Sequence, residues 1–163
     1  MTQEELEKAF VDVMQKVIAE KDAIFAVCRE VLDEVLDTSE LDRIATRLQD
    51  QALGMAERVR KLVKENARGR RDQEEYQREY EALVAEHEKL SQQMQNVEAQ
   101  RKDKADRRRK IEVFLCMLEE QTECVRFDSY PFVALVDRVV VRQDRTLEFI
   151  FRNGMKYEYI IVV

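Results

Sequence analysis

The stretch LVKENARGRRDQEEY, residues 62–76, decides how this chain folds. Upstream of it Leu41, Ile44, Leu48, Ala52, Met55, Val59 and Leu62 recur at steps of three and four. Downstream, Tyr76, Tyr80, Leu83, His87, Leu90, Met94 and Val97 resume the same steps. Such spacing lines one face of an α-helix and forms a heptad seam. Between the two runs the seam would pass through Asn66, Gly69 and Gln73, three successive positions with no apolar side chain. Gly69 suits the left-handed backbone that ends a helix, and Asp72 can start the next one. A reversal at 68–70 sets Leu62 against Tyr76, Val59 against Tyr80, Met55 against Leu83, Leu48 against Leu90, Ile44 against Met94 and Leu41 against Val97. The expectation is an antiparallel coiled-coil hairpin over 41–97 with its tip near 66–71. Each arm would reach roughly 40 Å at about 1.5 Å per residue. One unbroken helix, swapped between chains, is the competing reading.

Working outward, residues 3–36 carry Leu6, Phe10, Val13, Val17, Ile24, Cys28, Val31 and Val35 at helical spacing, widened by Met14, Ile18, Phe25 and Leu32, with a weak place at Glu20. That is an amphipathic base helix within 1–40, and Thr38 or Ser39 can cap the helix that follows. On the far side, the third helix runs from about Arg71 to Gln121. Past Val97 its seam turns basic at Arg101, Lys104 and Arg108, opposite Glu30, Asp33, Glu34 and Asp37, before Ile111, Phe114, Leu115 and Leu118 restore an apolar face. Residues 129–138 read as a short helix with Pro131 in its first turn. Strands follow at 139–142, 146–152 and 155–162, with a turn at 143–145. Leu147, Phe149 and Phe151 share one face, and Asn153-Gly154 predicts a type I′ turn. Residues 98–163 thus complete a compact base. The fold class is mainly α with a small β-meander (α+β), the long hairpin projecting from the base.

The 163 residues are 38% charged, with Gly 3, Pro 1 and Trp 0, a balance that favours long helices. Residues 1–42 hold 12 acids against 4 bases, so that segment carries −8 of a total −6 and the remainder is +2. Nothing in the charge of the whole suggests bulk nucleic-acid binding, but RKDKADRRRK (101–110) is strongly basic. Cys28, Cys116 and Cys124 form no C-x-x-C pair and no His stands at ligand spacing. No zinc site or other cofactor site is expected within the chain, and the thiols read as buried or half-buried helical residues. With no apolar run of about 18 residues, the expected setting is cytoplasmic, without membrane or small-molecule partners. His87 falls in the seam, and no catalytic constellation appears, so this chain alone is not expected to be an enzyme.

Two surfaces remain as candidates. At the tip, Arg68, Arg70 and Arg71, with Tyr76 and Tyr80 and beside Lys61 and Lys64, suit a protein contact, because Arg and Tyr are enriched where interfaces carry energy. Arg101, Lys102, Lys104, Arg107, Arg108 and Arg109 suit a DNA backbone, or else neutralise the acidic end of the first helix.

EELEKAFVDVMQKVIAEKDAI (4–24), LDTSELDRI (36–44), the hairpin, and FDSYPFVALVDRVVVRQDRTLEFIFRNGMKYEY (127–159), in that order, resemble the C-terminal region of large serine recombinases, the phage integrases and transposon resolvases of Gram-positive bacteria. The likeness covers nearly the whole chain and is most specific over the last of these segments. It implies that other copies of the recombinase are the partners, joined through the coiled coil in synapsis and in control of direction. It also implies DNA as a partner of the full-length protein, whose serine-nucleophile and zinc-ribbon domains are not represented here. The expectation is a fragment whose ribbon lies upstream, with a variant lacking zinc as the competing reading. A stand-alone structural coiled coil and a DNA-backbone module are the alternatives.

Overall fold

The computed structural model describes residues 2–69 and 72–161. It is mainly helical with one three-stranded antiparallel sheet, as the sequence pattern predicts. The chain divides into two units, Met1–Leu36 with Ala105–Val163, and Asp37–Lys104.

In the first unit, α1 (Gln3–Ala19) starts with a reciprocal cap. The Thr2 hydroxyl accepts the Glu5 amide at 3.2 Å while the Glu5 carboxylate accepts the Thr2 amide at 2.6 Å, satisfying two amides that have no partner within the helix. Glu20 ends α1, and α2 (Lys21–Glu30) follows at once, so the expected single helix is broken at its weak place. A π-helical turn over Val31–Val35 comes next. Its extra residue rotates the buried face. Leu32 and Leu36 go into the core, and Val35, expected on the buried stripe, is 58% exposed.

The core gathers Phe10, Val13, Met14 and Val17 of α1, Ile111, Phe114 and Leu118 of α4 (Gln73–Glu120), and Leu147, Phe149 and Phe151 of the strand β2 (Thr146–Phe151). Phe10 meets Phe132 edge-on at 5.0 Å and Phe127 at 5.7 Å. Asp128 caps α5 (Ser129–Leu135) by accepting the Tyr130 amide at 2.9 Å. This helix stops three residues short of the expected 138 because Val136 is already extended and pairs with Phe151. The meander is β1 (Val136–Val141), β2 (Thr146–Phe151) and β3 (Lys156–Ile160), in spatial order. Its inner face is latched to α1, since the Tyr157 hydroxyl donates to Glu20 at 2.6 Å and the Tyr159 hydroxyl to Asp12 at 2.9 Å.

Asn153-Gly154 does turn the chain, but not as type I′, which needs positive φ at both residues. Gly154 alone is left-handed (φ 90°), with its amide bonded to the Phe151 carbonyl at 2.8 Å. The turn is centred on Arg152-Asn153, and Gly154 follows it as the left-handed third residue. The β1–β2 turn repeats this geometry with Arg145 (φ 65°) in the left-handed place.

In the second unit, α3 (Ser39–Ala67) is not capped by Thr38 or Ser39. Asp37 does this instead. Its carboxylate accepts the Ser39 amide at 3.2 Å and hydroxyl at 2.7 Å, while the Thr38 hydroxyl donates to Asp42. The helices α3 and α4 lie side by side in opposite directions. Asp42 meets Arg101, Arg58 meets Glu86, and Asn66 meets Gln73. Leu48, Met55 and Leu62 are buried from one helix and Leu83, Leu90 and Val97 from the other, every seventh residue in each. Leu48 and Met55 cluster with Leu90 and Val97.

Candidate functional site

The closed end of the helix pair is built by backbone rules. Arg68 ends α3, Gly69 takes the left-handed conformation (φ 65°), and its amide bonds the Asn66 carbonyl at 2.9 Å. Asp72 then accepts the Glu74 amide at 2.7 Å and starts α4. The Gln73 side-chain amide donates to Asn66 Oδ1 at 2.9 Å, tying one helix end to the other. Arg68, Lys61 and Lys64 are exposed, while Arg70 and Arg71 lie outside the described residues. Tyr76 and Tyr80 stack with ring centroids 5.9 Å apart. Tyr76 is half-buried and Tyr80 is exposed.

His87 and Met94, expected in the seam, are exposed. The seam closes on the row Leu83–Leu90–Val97, which leaves the neighbouring row of Tyr80, His87 and Met94 facing outward. His87 lines an open groove of about 890 Å³ with Val59, Val63 and Ala67, rimmed by Arg60, Lys61 and Lys64. Sequence reasoning missed this groove. Its signal was there in Val63, an apolar residue outside the heptad that stands 45% exposed.

The basic run separates into two sets. Arg101 meets Asp42 at 2.8 Å and Glu98 at 2.9 Å. Lys104 donates to the Asp37 carbonyl at 2.8 Å, and Arg108 to the Leu32 carbonyl at 3.1 Å and to Glu112. Of the expected carboxylates Glu30, Asp33, Glu34 and Asp37, only Asp37 feels Lys104, and the direct bonds across to the first helix and the link after it go to the main-chain carbonyls of Leu32 and Asp37. For Arg108 the physical reason is that the Leu32 carbonyl lies in the last turn of a helix, where carbonyls lack an amide to accept from and a cation meets the negative end of the helix dipole; the Asp37 carbonyl lies in the link between helices. Lys102, Arg107 and Arg109 are exposed on α4. The Asp37 carboxyl is held below the usual carboxylate range by the hydrogen bonds from Ser39, with Lys104 adding to the effect.

Cys28 is buried and its thiol is pushed up by that burial, against a weak bond from the Asn153 amide at 3.7 Å. Cys124 is half-buried as expected but lies beyond the end of α4 rather than in a helix, and Cys116 is helical as expected but exposed. Among the described residues no group of His, Cys, Asp and Glu is placed to hold a metal ion, and no helix is long and apolar enough to cross a membrane.

No family model matches this chain, and neither a curated protein nor a solved structure does.

Proposed function

We propose that the chain is the C-terminal interaction module of a site-specific DNA recombinase of the large serine type. In this reading α3 and α4 form an antiparallel coiled-coil arm that joins subunits in synapsis and governs the direction of recombination. The observation that carries it is the end of the helix pair, where Arg68 closes α3, Tyr76 and Tyr80 stack in the first turns of α4, and Gln73 is bonded to Asn66. The sequence likeness over 127–159 supports it independently. Strand exchange belongs to a serine-nucleophile domain elsewhere in such a protein, and the setting is the cytoplasm, where its DNA is.

Two arms meeting end to end bury little area, so their contact is weak between isolated copies. Binding to DNA raises the local concentration of arms, and that makes the contact effective. Replacing Arg68, Arg70, Arg71, Tyr76 and Tyr80 by alanine in a recombinase carrying this segment should abolish recombination and leave DNA binding intact. Loss of DNA binding in that variant counts against the arm and for a DNA-contacting role.

A second reading rests on the exposure of Lys102, Arg107 and Arg109, which suits contact with DNA phosphates. It requires affinity of this chain for DNA that falls steeply between low and moderate salt in a gel shift. A chain that leaves the DNA unshifted at low salt removes it.

A further inference from the structure

Among the described residues no strand pairs with the outer edge of β1 or of β3, and the two edges are not alike. On β3, the bond from the Phe151 amide to the Met155 carbonyl at 2.8 Å fixes the alternation, so Tyr157 and Tyr159 turn their backbone groups toward β2. Lys156, Glu158 and Ile160 therefore turn theirs outward. The side chains of Lys156 and Glu158 are 62% and 58% exposed. On β1, the bond from the Arg142 amide to the Thr146 carbonyl leaves Val139 and Val141 facing outward in the same way.

We propose that the outer edge of β3 pairs antiparallel with the same edge of a second copy, giving one continuous sheet across the two chains. Charge selects both the occupant and the register. The pairing that opposes Lys156 to Glu158 of the second copy also opposes Glu158 to Lys156 of that copy. Sliding the register either way sets Lys156 against Lys156 or Glu158 against Glu158. Directly opposed unlike charges stabilise a sheet and like charges destabilise it. The β1 edge lacks this self-complementarity. Opposing Val139 to Val141 of a copy sets Arg138 against Arg142, and an irregularity between Val136 and Arg138 interrupts the strand.

The β3 edge is also ordered in advance. Tyr157 and Tyr159 anchor its inner side to Glu20 and Asp12, so association orders little new backbone. This contact is separate from the arm: alanine changes at Arg68, Tyr76 and Tyr80 leave it unchanged, and either reading can fail without the other.

Sedimentation velocity of the whole chain over a concentration series tests it. Wild type shows a monomer–dimer equilibrium. Lys156→Glu or Glu158→Lys alone weakens it by about tenfold or more, as two like-charge oppositions replace two favourable ones. The double exchange Lys156→Glu with Glu158→Lys restores it. Within one chain Lys156 pairs with Glu148 at 3.2 Å and Glu158 with Arg142 at 3.0 Å, and the double exchange leaves both of those pairs broken. The recovery is then not a return of those two pairs. A wild type that stays monomeric, single changes without effect, or a double exchange that does not recover overturns the proposal. Amide exchange on the unmodified chain gives a test that needs no variant. The Lys156 and Glu158 amides should become protected as concentration rises while those of Val139 and Val141 do not, and equal behaviour at both edges overturns it as well.

Discussion

The two units of this chain are stabilised in different ways. The unit of Met1–Leu36 and Ala105–Val163 surrounds Phe10, Phe114, Phe149 and Leu118 completely, and aromatic rings meet edge-on within it. The unit of Asp37–Lys104 buries a single row from each helix, one residue in seven, and its exposed cross-links, such as Arg58–Glu86 at 3.6 Å, add little. A closed core makes a cooperative body. A single seam makes an element that opens locally at lower cost and keeps most of its surface available to partners.

The largest way to break that contrast is Phe10→Ala. Removing a ring packed among Phe127, Phe132 and Phe149 should cost about 3–5 kcal/mol. Chemical denaturation followed by far-UV circular dichroism measures it, and a loss under about 1 kcal/mol would mean that the core collapses around the gap. Leu90→Ala strikes the seam instead. It should cost roughly 2 kcal/mol, since an open seam relaxes more easily than a closed core. Amide exchange should show protection falling across 39–104 and unchanged in the sheet. Equal loss in both units would show one cooperative body where the packing shows two.

How legible this was in the sequence follows the same division. The seam residues Leu48, Met55, Leu62, Leu83, Leu90 and Val97 and the β2 face of Leu147, Phe149 and Phe151 could be read directly, because burial with period seven or two leaves a mark on the pattern. Gly69 and Asp72 were readable because turns demand particular residue types. The heptad also placed His87 and Met94 in the seam, where they are exposed, and the other failures were of geometry without a periodic signature. The π-helical turn swapped Val35 for Leu36, the Asn153-Gly154 turn adopted a three-residue form, and Asp37 displaced Thr38 as the cap. In the basic run the charges were plain, but that Lys104 and Arg108 donate to backbone carbonyls depends on where a helix ends, and boundaries are the weakest part of any pattern.

A smaller effect is set by pH. Burial, and then the bond to Glu20, push the Tyr157 phenol above its ordinary range, and the bond to Asp12 raises Tyr159 likewise. A raised folded-state value means that the stabilisation is complete below the unfolded phenol value, about 10, and is lost as pH rises toward the folded value. Stability of the sheet unit should therefore decline above about pH 10. Tyr157→Phe should lower it by about 1 kcal/mol at neutral pH and flatten the alkaline decline. Denaturation midpoints at pH 8 and 11 check this, and an unchanged alkaline slope would remove Tyr157 from the account.

The smallest change sharpens the contrast from the other side. Gly54 lies inside α3, and a Cβ built there meets nothing within 4 Å. Gly54→Ala should stabilise α3 by about 0.5–1 kcal/mol through chain entropy alone. In the sheet unit, Arg145→Gly should give a gain of similar size, about 1 kcal/mol, by relieving the left-handed Arg145, where Gly154 already fills the matching place in the second turn. If the units are independent, amide protection rises within 39–104 for the first substitution and within the sheet for the second. Gains that cross from one unit to the other would place the coupling in α4, which supplies residues to both.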